Sequence, residues 1–421
     1  MLNLYSSIEV MTLDRIRAQF PELQETVYGK PLVYLDSAAT SMRPVSVIEK
    51  WTEMSTRMNA NIHRAVHHIS GLATAEFENA RAAVAQFIGA ADASEIVFTS
   101  GATAAANLLA FSFGEACVRE GDEILVYEAE HHSNIVPWQM MATRKGASVK
   151  VIPVVDETGA FDLVALESLI SERTRIVCVS HISNVLGVIN PVKEIVKVAH
   201  SKGVPVAVDG AQGVVHCEVN VAETDADFYF FSGHKLYASP GTGVLYAKKK
   251  WLENLPPYMG GGEMIDTVKW SGTTYARVPQ KFEAGTQNIA GVPTLVPAIE
   301  MARSLRDPEI RRNEEAVKAF VMDALTANPL VHLYGRPAAG TGLAGKASVF
   351  SFTVDGAHHE DLALILDKMG VAVRSGQMCA EPLMDRFGVT GMVRASFAPF
   401  NTMGEAEYFI EALDRAVKML R

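Results

Sequence analysis

Short apolar segments alternate with helical segments from residue 33 to about residue 291. This alternation limits the possible folds more than any other feature of the sequence. Helical stretches such as Val192–Ser201 separate the apolar segments. The predicted strands are, in chain order, 95–99, 123–127, 149–154, 175–180, 204–209, 226–231 and 243–247. Continuous apolar strands separated by helices are typical of a mostly parallel sheet that is covered on both faces. The sequence therefore predicts an α/β fold built on a large, mostly parallel, seven-stranded sheet.

The pattern changes near residue 294, after which longer helices and fewer strands follow. Helices are predicted at Leu295–Ser304, 314–327, 360–369 and 405–420, and strands at 348–354, 371–374 and 392–397. A chain of 421 residues exceeds the size that one hydrophobic core usually fills. The sequence therefore predicts a large α/β domain over 33–293. A smaller α+β domain is predicted over 1–32 and 294–421, and it carries the loop around Cys379.

Composition and charge argue against several classes of protein. The chain is 48% hydrophobic and 20% charged, as in globular proteins, and its formal net charge of −10 does not suit a nucleic-acid surface. No apolar run reaches membrane-spanning length and the N-terminus lacks a secretory core, so the expected location is the cytoplasm. The cysteines form no C-x-x-C pair and the histidines lack H-E-x-x-H spacing, so no bound metal is expected.

A lysine and an aspartate stand at the ends of two predicted strands. Lys235 follows the strand 226–231, and Asp209 ends the strand 204–209. Ligands of open α/β sheets bind at the carboxyl ends of the strands. An amine that can form a Schiff base and a carboxylate that can face a pyridine nitrogen are what a pyridoxal 5′-phosphate (PLP) enzyme needs. A single lysine after a strand is usually just solvated, and a single Asp-Gly pair usually forms a turn. The hypothesis of a PLP site therefore depends on finding the two residues together.

Three further strand ends carry residues that suit a phosphorylated ring. After strand 95–99, Ala102 and Thr103 open a helix whose free N–H groups can seat a phosphate, although an ordinary helix start would look the same. After strand 123–127, His131 can stack on a planar cofactor. After strand 175–180, Asn184 can donate to a phenolic oxygen, and a turn-forming asparagine is the alternative.

Read in order, these segments resemble a known family. The motifs are Gly-Ala-Thr103, Glu-His131-His, Ser-Asn184-Val-Leu-Gly, Val-Asp209-Gly-Ala-Gln212, Phe-Ser232-Gly-His234-Lys235, Glu-Ala-Gly-Thr286 and Arg374-Ser-Gly-Gln-Met-Cys379-Ala. They are similar to those of the group II cysteine desulfurases, of the SufS and CsdA kind, in the class V aminotransferase family of PLP enzymes with fold type I. The resemblance covers nearly the whole chain. The sequence departs from the family at Met378, where a histidine is usual.

The resemblance implies a role for each matching residue. Lys235 would hold PLP covalently, Asp209 would pair with its ring nitrogen, and His131 would stack on the ring. The remaining cofactor contacts would come from Gln212 and Asn184 at the phenolic oxygen and from Ala102, Thr103, Ser232 and His234 at the phosphate, with Thr286 supplied by the second subunit of a homodimer. Arg394, Arg374 and Asn184 would bind the substrate, and Cys379 would be the nucleophile.

The resemblance also implies a reaction and its partners. L-cysteine would become L-alanine, and the sulfur would remain as a persulfide on Cys379. An acceptor protein of the SufE, CsdE or SufU kind would then take the sulfur for iron–sulfur cluster assembly or other sulfur metabolism. Alternatives within the PLP enzymes are a selenocysteine lyase, a cysteine sulfinate desulfinase or another class V enzyme, and a scaffold without activity is a more distant one. A nicotinamide dehydrogenase is disfavoured, because no G-x-G-x-x-G fingerprint is present.

Overall fold

The computed structural model describes residues 12–336 and 343–421. The helices are α1 (Leu13–Arg17), α2 (Val45–Arg57), α3 (His68–Ile88), α4 (Ala102–Cys117), α5 (Val136–Lys145), α6 (Leu163–Leu169), α7 (Val192–Ser201), α8 (Gly213–His216), α9 (Val221–Thr224), α10 (Lys249–Asn254), α11 (Leu295–Ser304), α12 (Pro308–Ala327), α13 (His359–Lys368), α14 (Glu381–Phe387) and α15 (Met403–Leu420). The strands are β1 (Thr26–Val27), β2 (Lys30–Pro31), β3 (Val33–Tyr34), β4 (Ile96–Thr99), β5 (Glu123–Tyr127), β6 (Ser148–Ile152), β7 (Val154–Val155), β8 (Ala160–Phe161), β9 (Thr174–Ser180), β10 (Val206–Asp209), β11 (Phe228–Ser232), β12 (Gly243–Ala247), β13 (Ile265–Lys269), β14 (Gly272–Tyr275), β15 (Val331–Tyr334), β16 (Val349–Val354), β17 (Val371–Ala372), β18 (Arg374–Gly376) and β19 (Met392–Ser396).

The largest sheet in the described residues has seven strands, in the order β4-β12-β11-β10-β9-β5-β6. The pairs β11–β10, β10–β9, β9–β5 and β5–β6 are parallel, and β12 runs antiparallel to both of its neighbours. The predicted mostly parallel, seven-stranded sheet is therefore confirmed. Because β4 runs in the same direction as the parallel strands, the carboxyl ends of β4, β5, β9, β10 and β11 meet at one edge.

Helices cover both faces of this sheet, and the central strands show why. In β11, Phe228 and Phe230 pack in the hydrophobic cluster that includes α4 and α5, whereas Tyr229 and Phe231 pack in the cluster that includes α3, α7 and α11. Successive side chains of a strand point to opposite faces, so a strand that is apolar at every position must be buried on both sides. The sequence pattern and the packing agree here.

A second sheet, β15-β16-β19-β18, is antiparallel and packs in a separate cluster with α12, α13 and α15. The N-terminal strand β3 pairs in parallel with β17, so the residues around Leu35 share this second core. The split of the chain into domains 33–293 and 1–32 with 294–421 stays a prediction. Residues 1–11 of its first segment lie outside the described residues.

Local signals explain where several helices begin and end. Helix α3 stops at Gly89, which takes the left-handed conformation expected of a residue that follows a helix. Helix α12 starts with Pro308 after the capping residue Asp307, and α15 starts with a reciprocal capping box between Thr402 and Glu405. Helix α14 and strand β15 were not among the predicted elements, because each is short and lacks a clear apolar period.

Candidate functional site

One cleft collects nearly all of the predicted site residues at the carboxyl edge of the large sheet. Its volume is about 320 Å³, and it lies between this edge and the small sheet. The predicted residues that line it are Ala102, Thr103, His131, Asn184, Asp209, Gln212, Ser232, His234, Lys235, Arg374, Cys379 and Arg394. Among the predicted residues, all of which the structure describes, only Thr286 lies elsewhere, with an exposed side chain. The cleft thus brings together residues that are as far apart in sequence as Ala102 and Arg394.

Lys235 lies in a turn of 3₁₀ helix, Gly233–Lys235, directly after β11. Burial lowers the pKa of its amine, and the opposite charge of Asp209 partly restores it. The backbone is fixed because Ser41 Oγ donates to the Lys235 carbonyl. An amine with a lowered pKa is more often free of its proton, which is the form that attacks a carbonyl.

Asp209 ends β10 and is buried, and its Oδ1 accepts a hydrogen bond of 2.9 Å from the N–H of Ala211. Burial raises the pKa of this carboxyl, and the charge of Lys235 opposes the rise. Glycine is required at the next position, because a Cβ on Gly210 would lie 1.9 Å from Cε1 of Tyr229. The glycine of this Asp-Gly pair is therefore needed for close packing against Tyr229 of the neighbouring strand β11, and not to form a turn.

Glu130 is a buried carboxyl near Asp209 that sequence reasoning missed. Its side chain accepts hydrogen bonds from Asn134 Nδ2 at 2.8 Å and from the N–H of Ser180. Burial, followed by the charge of Asp209, raises the pKa of Glu130 to about 8. The pKa of each carboxyl is thus raised, by burial first in both cases. The only sequence signal of Glu130 is its place beside His131.

The start of α4 and the end of β11 form the predicted phosphate seat. The Oγ of Ser232 accepts a hydrogen bond of 2.8 Å from the N–H of Ala102, so its own proton is free for a ligand. The backbones approach closely here, since a Cβ on Gly243 would lie 2.3 Å from Cα of Gly101. The His234 ring lines the same cleft, and burial lowers its pKa to about 4. His234 is therefore a neutral donor or acceptor at neutral pH.

His131 lies over the cleft at the end of β5. Its Nδ1 accepts a hydrogen bond of 3.1 Å from the N–H of Ser133, so in the neutral ring the proton is on Nε2. Burial, with the positive charge of Lys235 as the second cause, lowers the pKa of His131 to about 3. The ring is therefore uncharged at neutral pH, as suits a group that stacks on another ring.

Arg394, on β19, is a buried cation whose hydrogen bonds are incomplete. Its Nη2 is 3.0 Å from Oδ1 of Asp36, and its Nη1 donates to the carbonyl of Asn184. Its Nε is buried without a hydrogen-bond partner among the described residues. The same Asp36 lies 3.7 Å from Nη1 of Arg374, so one carboxylate serves two guanidinium groups. The excess positive charge favours an anionic ligand such as a carboxylate.

Asp36 was not predicted, although it follows a short apolar strand, β3. Its place just after a strand is the sequence signal that marks it, since functional residues of α/β proteins often follow strands.

The turn after β9 connects the two sheets. The carbonyls of residues 184, 185 and 186 accept hydrogen bonds from Arg394 at 3.0 Å, Ser351 at 2.6 Å and Lys346 at 2.6 Å, respectively. Three consecutive carbonyls at the edge of the large sheet thus accept hydrogen bonds from side chains in or just before the strands of the small sheet. The side chain of Asn184 in turn donates to the carbonyl of Met378 at 2.8 Å.

Cys379 lies in the loop between β18 and α14, and its side chain is exposed at the mouth of the cleft. Its neighbours Met378 and Ala380 are buried. Both Met378 and Cys379 have left-handed backbones, with φ of 53° and 56°, which costs about 1–2 kcal/mol for each residue that is not glycine. The predicted polar, accessible position of this thiol agrees with its exposure. Cys178, by contrast, is buried in β9.

The polar groups of the cleft fit PLP. A buried carboxylate, a half-buried amine and a helix N-terminus line the cleft, and these groups suit a pyridine nitrogen, an aldehyde and a phosphate, respectively. The hydroxyl of Ser180 lines the cleft and is buried without a partner among the described residues, as expected where a ligand completes the hydrogen bonds. The side-chain amides of Asn184 and Gln212 already donate to the carbonyls of Met378 and Ala38, and each retains a second N–H.

Two other kinds of site are not found in the described parts of the chain. No group of three or more histidine, cysteine or acidic side chains there could hold a metal ion. No helix there has both the length and the apolar character needed to cross a membrane.

Comparison with known proteins agrees with this geometry. Residues 33–409 match the family described as aminotransferase class-V. The chain belongs to this family of PLP-dependent enzymes, and its relatives place it among the cysteine desulfurases. It is 47% identical to a probable cysteine desulfurase of Vibrio cholerae over 98% of this chain and 100% of that protein. It is 43% identical to a cysteine desulfurase of Dickeya dadantii over 98% of both chains.

Solved structures lead to the same group. The cysteine desulfurase CsdA of Escherichia coli, in an S-sulfonic acid form, superposes with a TM-score of 0.88 at 39% identity and covers 98% of this chain and 100% of its own. An apo cysteine desulfurase of Thermococcus onnurineus gives a TM-score of 0.89 at 37% identity over 96% of this chain and 98% of its own. The predicted fold class and family are therefore confirmed.

Proposed function

We propose that Cys379 takes the sulfur atom of L-cysteine and that the surrounding cleft supplies the groups that release it. The chain is a PLP-dependent cysteine desulfurase, and the proposal concerns which residues carry out the reaction. The observation that supports it most directly is that one exposed thiol lines the same cleft as a half-buried lysine and a buried aspartate. The alternatives, such as selenocysteine lyase or cysteine sulfinate desulfinase, are not favoured.

The residues proposed to hold PLP are those at the sheet edge. Lys235 would bind it covalently, Asp209 would face the ring nitrogen, and Ser232, His234 and the start of α4 would hold the phosphate. Bound PLP supplies an electron sink for the electrons released when the Cα–H bond of the amino acid breaks. The positive charge of Lys235 supports the role of Asp209, because it opposes the rise in the pKa of this carboxyl that burial causes.

The residues proposed to act on the substrate surround the mouth of the cleft. Arg394 would bind the carboxylate of L-cysteine, for which its unpartnered Nε and the second guanidinium of Arg374 are suited. The Lys235 amine would take the proton from Cα. The thiolate of Cys379 would then attack the substrate sulfur, so that an S–S bond forms and the Cβ–S bond breaks. The electron pair of the broken bond stays on Cβ and takes a proton, which gives L-alanine and a persulfide on Cys379.

The decisive experiment compares the purified enzyme with two variants. The enzyme is incubated with L-cysteine, and L-alanine and the sulfur bound to Cys379 are quantified by mass spectrometry. Cys379→Ser should retain the visible absorbance of bound PLP and lose both products. Lys235→Ala should lose the absorbance of covalently held PLP as well. Undiminished alanine formation by Cys379→Ser would contradict the proposed nucleophile.

A matched control uses another cysteine, and a second substrate tests the alternative. Cys117→Ser changes a thiol at the end of α4 that does not line the cleft, and it should leave both products unchanged. With L-selenocysteine as substrate, a lyase would continue to release selenide in the Cys379→Ser variant. Retention of that reaction together with a weak reaction on L-cysteine would favour the lyase.

We also propose that two copies of the chain form the working enzyme and that Thr286 from the second copy completes the phosphate seat. Large apolar side chains such as Trp51 on α2 and Trp270 on the β13–β14 turn are exposed in the single chain, as surfaces that meet a partner often are. Light scattering should give a dimer, and Thr286→Val should weaken PLP retention. A monomer that is fully active at all concentrations would contradict this.

The remaining expectations about partners and place stay predictions. Transfer of the persulfide to an acceptor of the SufE, CsdE or SufU kind fits an exposed thiol at the mouth of the cleft. A candidate acceptor should accelerate alanine formation, and an acceptor with its receiving cysteine changed to serine should not. A role in iron–sulfur cluster assembly and a cytoplasmic location also stay predictions.

A further inference from the structure

His132 contacts the Cys379 loop at two points, one at Cys379 itself and one two residues further along the chain. The N–H of His132 donates to the carbonyl of Cys379 at 2.7 Å, and its ring Nε2 accepts a hydrogen bond of 3.0 Å from the N–H of Glu381. The loop therefore depends on one residue of the large sheet's edge both at the thiol and at the start of α14.

The ring of His132 supplies a helix cap that the loop sequence does not provide. The capping position of α14 is Ala380, which has no side chain that could accept a hydrogen bond. The first N–H groups of a helix need an external acceptor, and here Nε2 of His132 meets that need. Because this bond holds the start of α14, it also restricts the position of the Cys379 loop that leads into the helix.

The backbone of the loop needs such support. Met378 and Cys379 are two consecutive residues with left-handed backbones, a conformation that persists only where the surroundings enforce it. Asn184 holds the carbonyl of Met378, and His132 holds the carbonyl of Cys379. Without these contacts the chain would relax to an ordinary backbone conformation and the thiol would move.

The two adjacent histidines have opposite tautomers, and their rings contact different parts of the site. His131 accepts a hydrogen bond at Nδ1, so its proton is on Nε2, whereas His132 accepts at Nε2, so the proton of its neutral ring is on Nδ1. The His131 ring lines the cleft, and the His132 ring faces α14.

We propose that His132 is a positioning residue that holds the thiol of Cys379 over the cleft. This inference rests on the proposed function, because it assigns the geometry of the proposed nucleophile. His132 takes no proton from the substrate in this account. It acts through the hydrogen bond from Glu381 and through the carbonyl of Cys379.

The test removes only the ring contact. His132→Leu keeps the backbone bond and loses the acceptor, whereas His132→Gln offers an amide oxygen in its place. In the Leu variant kcat for alanine formation should fall roughly 10-fold, since small displacements of a reacting group cost that much or more. The KM for L-cysteine should stay within about twofold, because Arg394 is untouched. Hydrogen exchange of residues 374–387 should become faster, and the Gln variant should recover most of both losses.

A matched control is His358→Leu. The Nδ1 of His358 accepts a hydrogen bond of 3.4 Å from the N–H of Glu360 at the start of α13, which is the same kind of contact away from the cleft. This variant should match the wild type in kcat and in exchange of residues 374–387. A His132→Leu variant that does the same, with PLP absorbance intact, would overturn the inference.

The exchange measurement separates this inference from the proposed function. If the wild type forms no alanine from L-cysteine, the proposed function fails, whereas faster exchange in His132→Leu would still demonstrate the contact. If the wild type is active and His132→Leu changes neither kcat nor exchange, only the inference fails. Loss of activity without recovery in the Gln variant, and without faster exchange, also counts against it.

Discussion

Two buried arginines show how this molecule uses the same side chain in opposite ways. Arg81, on α3, makes five hydrogen bonds, two to each carboxylate of Glu78 and Glu283 and one to the carbonyl of Ile96. Arg394 is as deeply buried but makes two, one to Asp36 and one to a backbone carbonyl. Burial disfavours the charge of both. The pKa of Arg81 is nevertheless raised by Glu283, whereas that of Arg394 is lowered despite Asp36.

The difference separates a structural ion pair from a binding site. A guanidinium has five N–H groups, and Arg81 has partners for all of them. Arg394 keeps unused donors beside a cleft, at a cost in stability that a ligand carboxylate would offset. Removal of Arg81 should therefore affect folding, and removal of Arg394 should affect catalysis.

The largest effect is expected from Arg394→Ala. Loss of a charged, two-point contact with the substrate carboxylate should lower kcat/KM roughly 100-fold, which corresponds to about 3 kcal/mol of binding. Arg394→Lys should recover only part of this loss, because lysine cannot offer the planar pair of donors. Steady-state alanine formation measures the effect, and an unchanged KM in both variants would show that the carboxylate binds elsewhere.

Glu283→Gln is expected to act on stability alone. It leaves Arg81 with half of its charge compensation and weakens the bond of 2.7 Å that Glu283 accepts from the N–H of Phe98. Breaking a buried ion pair costs about 3–5 kcal/mol. Urea unfolding should detect the loss, while kcat measured at low temperature should stay close to that of the wild type. A large drop in kcat with stability intact would remove the distinction between the two arginines.

Asp36→Asn should produce a smaller and mixed effect. The amide keeps a hydrogen bond to Arg394 but removes the negative charge that Arg394 and Arg374 share. The two guanidinium groups would then repel each other without compensation, and stability should fall by about 1–2 kcal/mol. The substrate carboxylate should bind more tightly, because it no longer competes with Asp36 for the cation. A raised KM would mean that Asp36 orients Arg394 more than it neutralises it.

Lys346 extends the comparison to a buried cation with no carboxylate partner among the described residues. It donates to the carbonyl of Leu186, and burial, with the charge of Lys318 second, lowers its pKa to about 7. Between pH 7 and its ordinary value of 10.5 the unfolded chain binds the proton more tightly, so this residue makes stability rise with pH across that window.

Replacement of this lysine tests that dependence. Lys346→Met should be more stable relative to the wild type at pH 6 than at pH 9, by on the order of 1–2 kcal/mol. Urea unfolding of both proteins at the two pH values gives the difference. An equal difference at both values would mean that Lys346 keeps its proton in the folded chain.

The sequence predicted the large sheet well, and it predicted that several polar residues meet at one edge of that sheet, because both features depend on local signals. Continuous apolar strands identify the sheet, and Asp209 and Lys235 stand directly after two of them. Strand ends are ordered by the sheet itself, so residues far apart in sequence meet without a further signal. The approximate bounds of α7, α11 and β5 followed from apolar period alone.

The contacts between the two parts of the molecule were not predictable in the same way. Asp36 and Arg394 are 358 positions apart, and Arg81 and Glu283 are 202 apart. Such pairs are decided by packing, and nothing in the local sequence indicates them. The partner of His132 is a backbone N–H, and backbone groups leave no trace in a sequence. The left-handed backbone of Met378 and Cys379 is likewise a product of its surroundings.

Asn184 has one carbonyl held by Arg394 and one amide bound to the loop of Cys379. One residue thus contacts both Arg394, which is proposed to bind the carboxylate, and the loop that carries the proposed nucleophile. An acceptor protein that moved the Cys379 loop outward would also displace Asn184. Through the carbonyl of Asn184, the movement would reach the Arg394 side chain that is proposed to bind the carboxylate of alanine. Delivery of the sulfur and departure of the spent amino acid would then be coordinated within a single turn of chain.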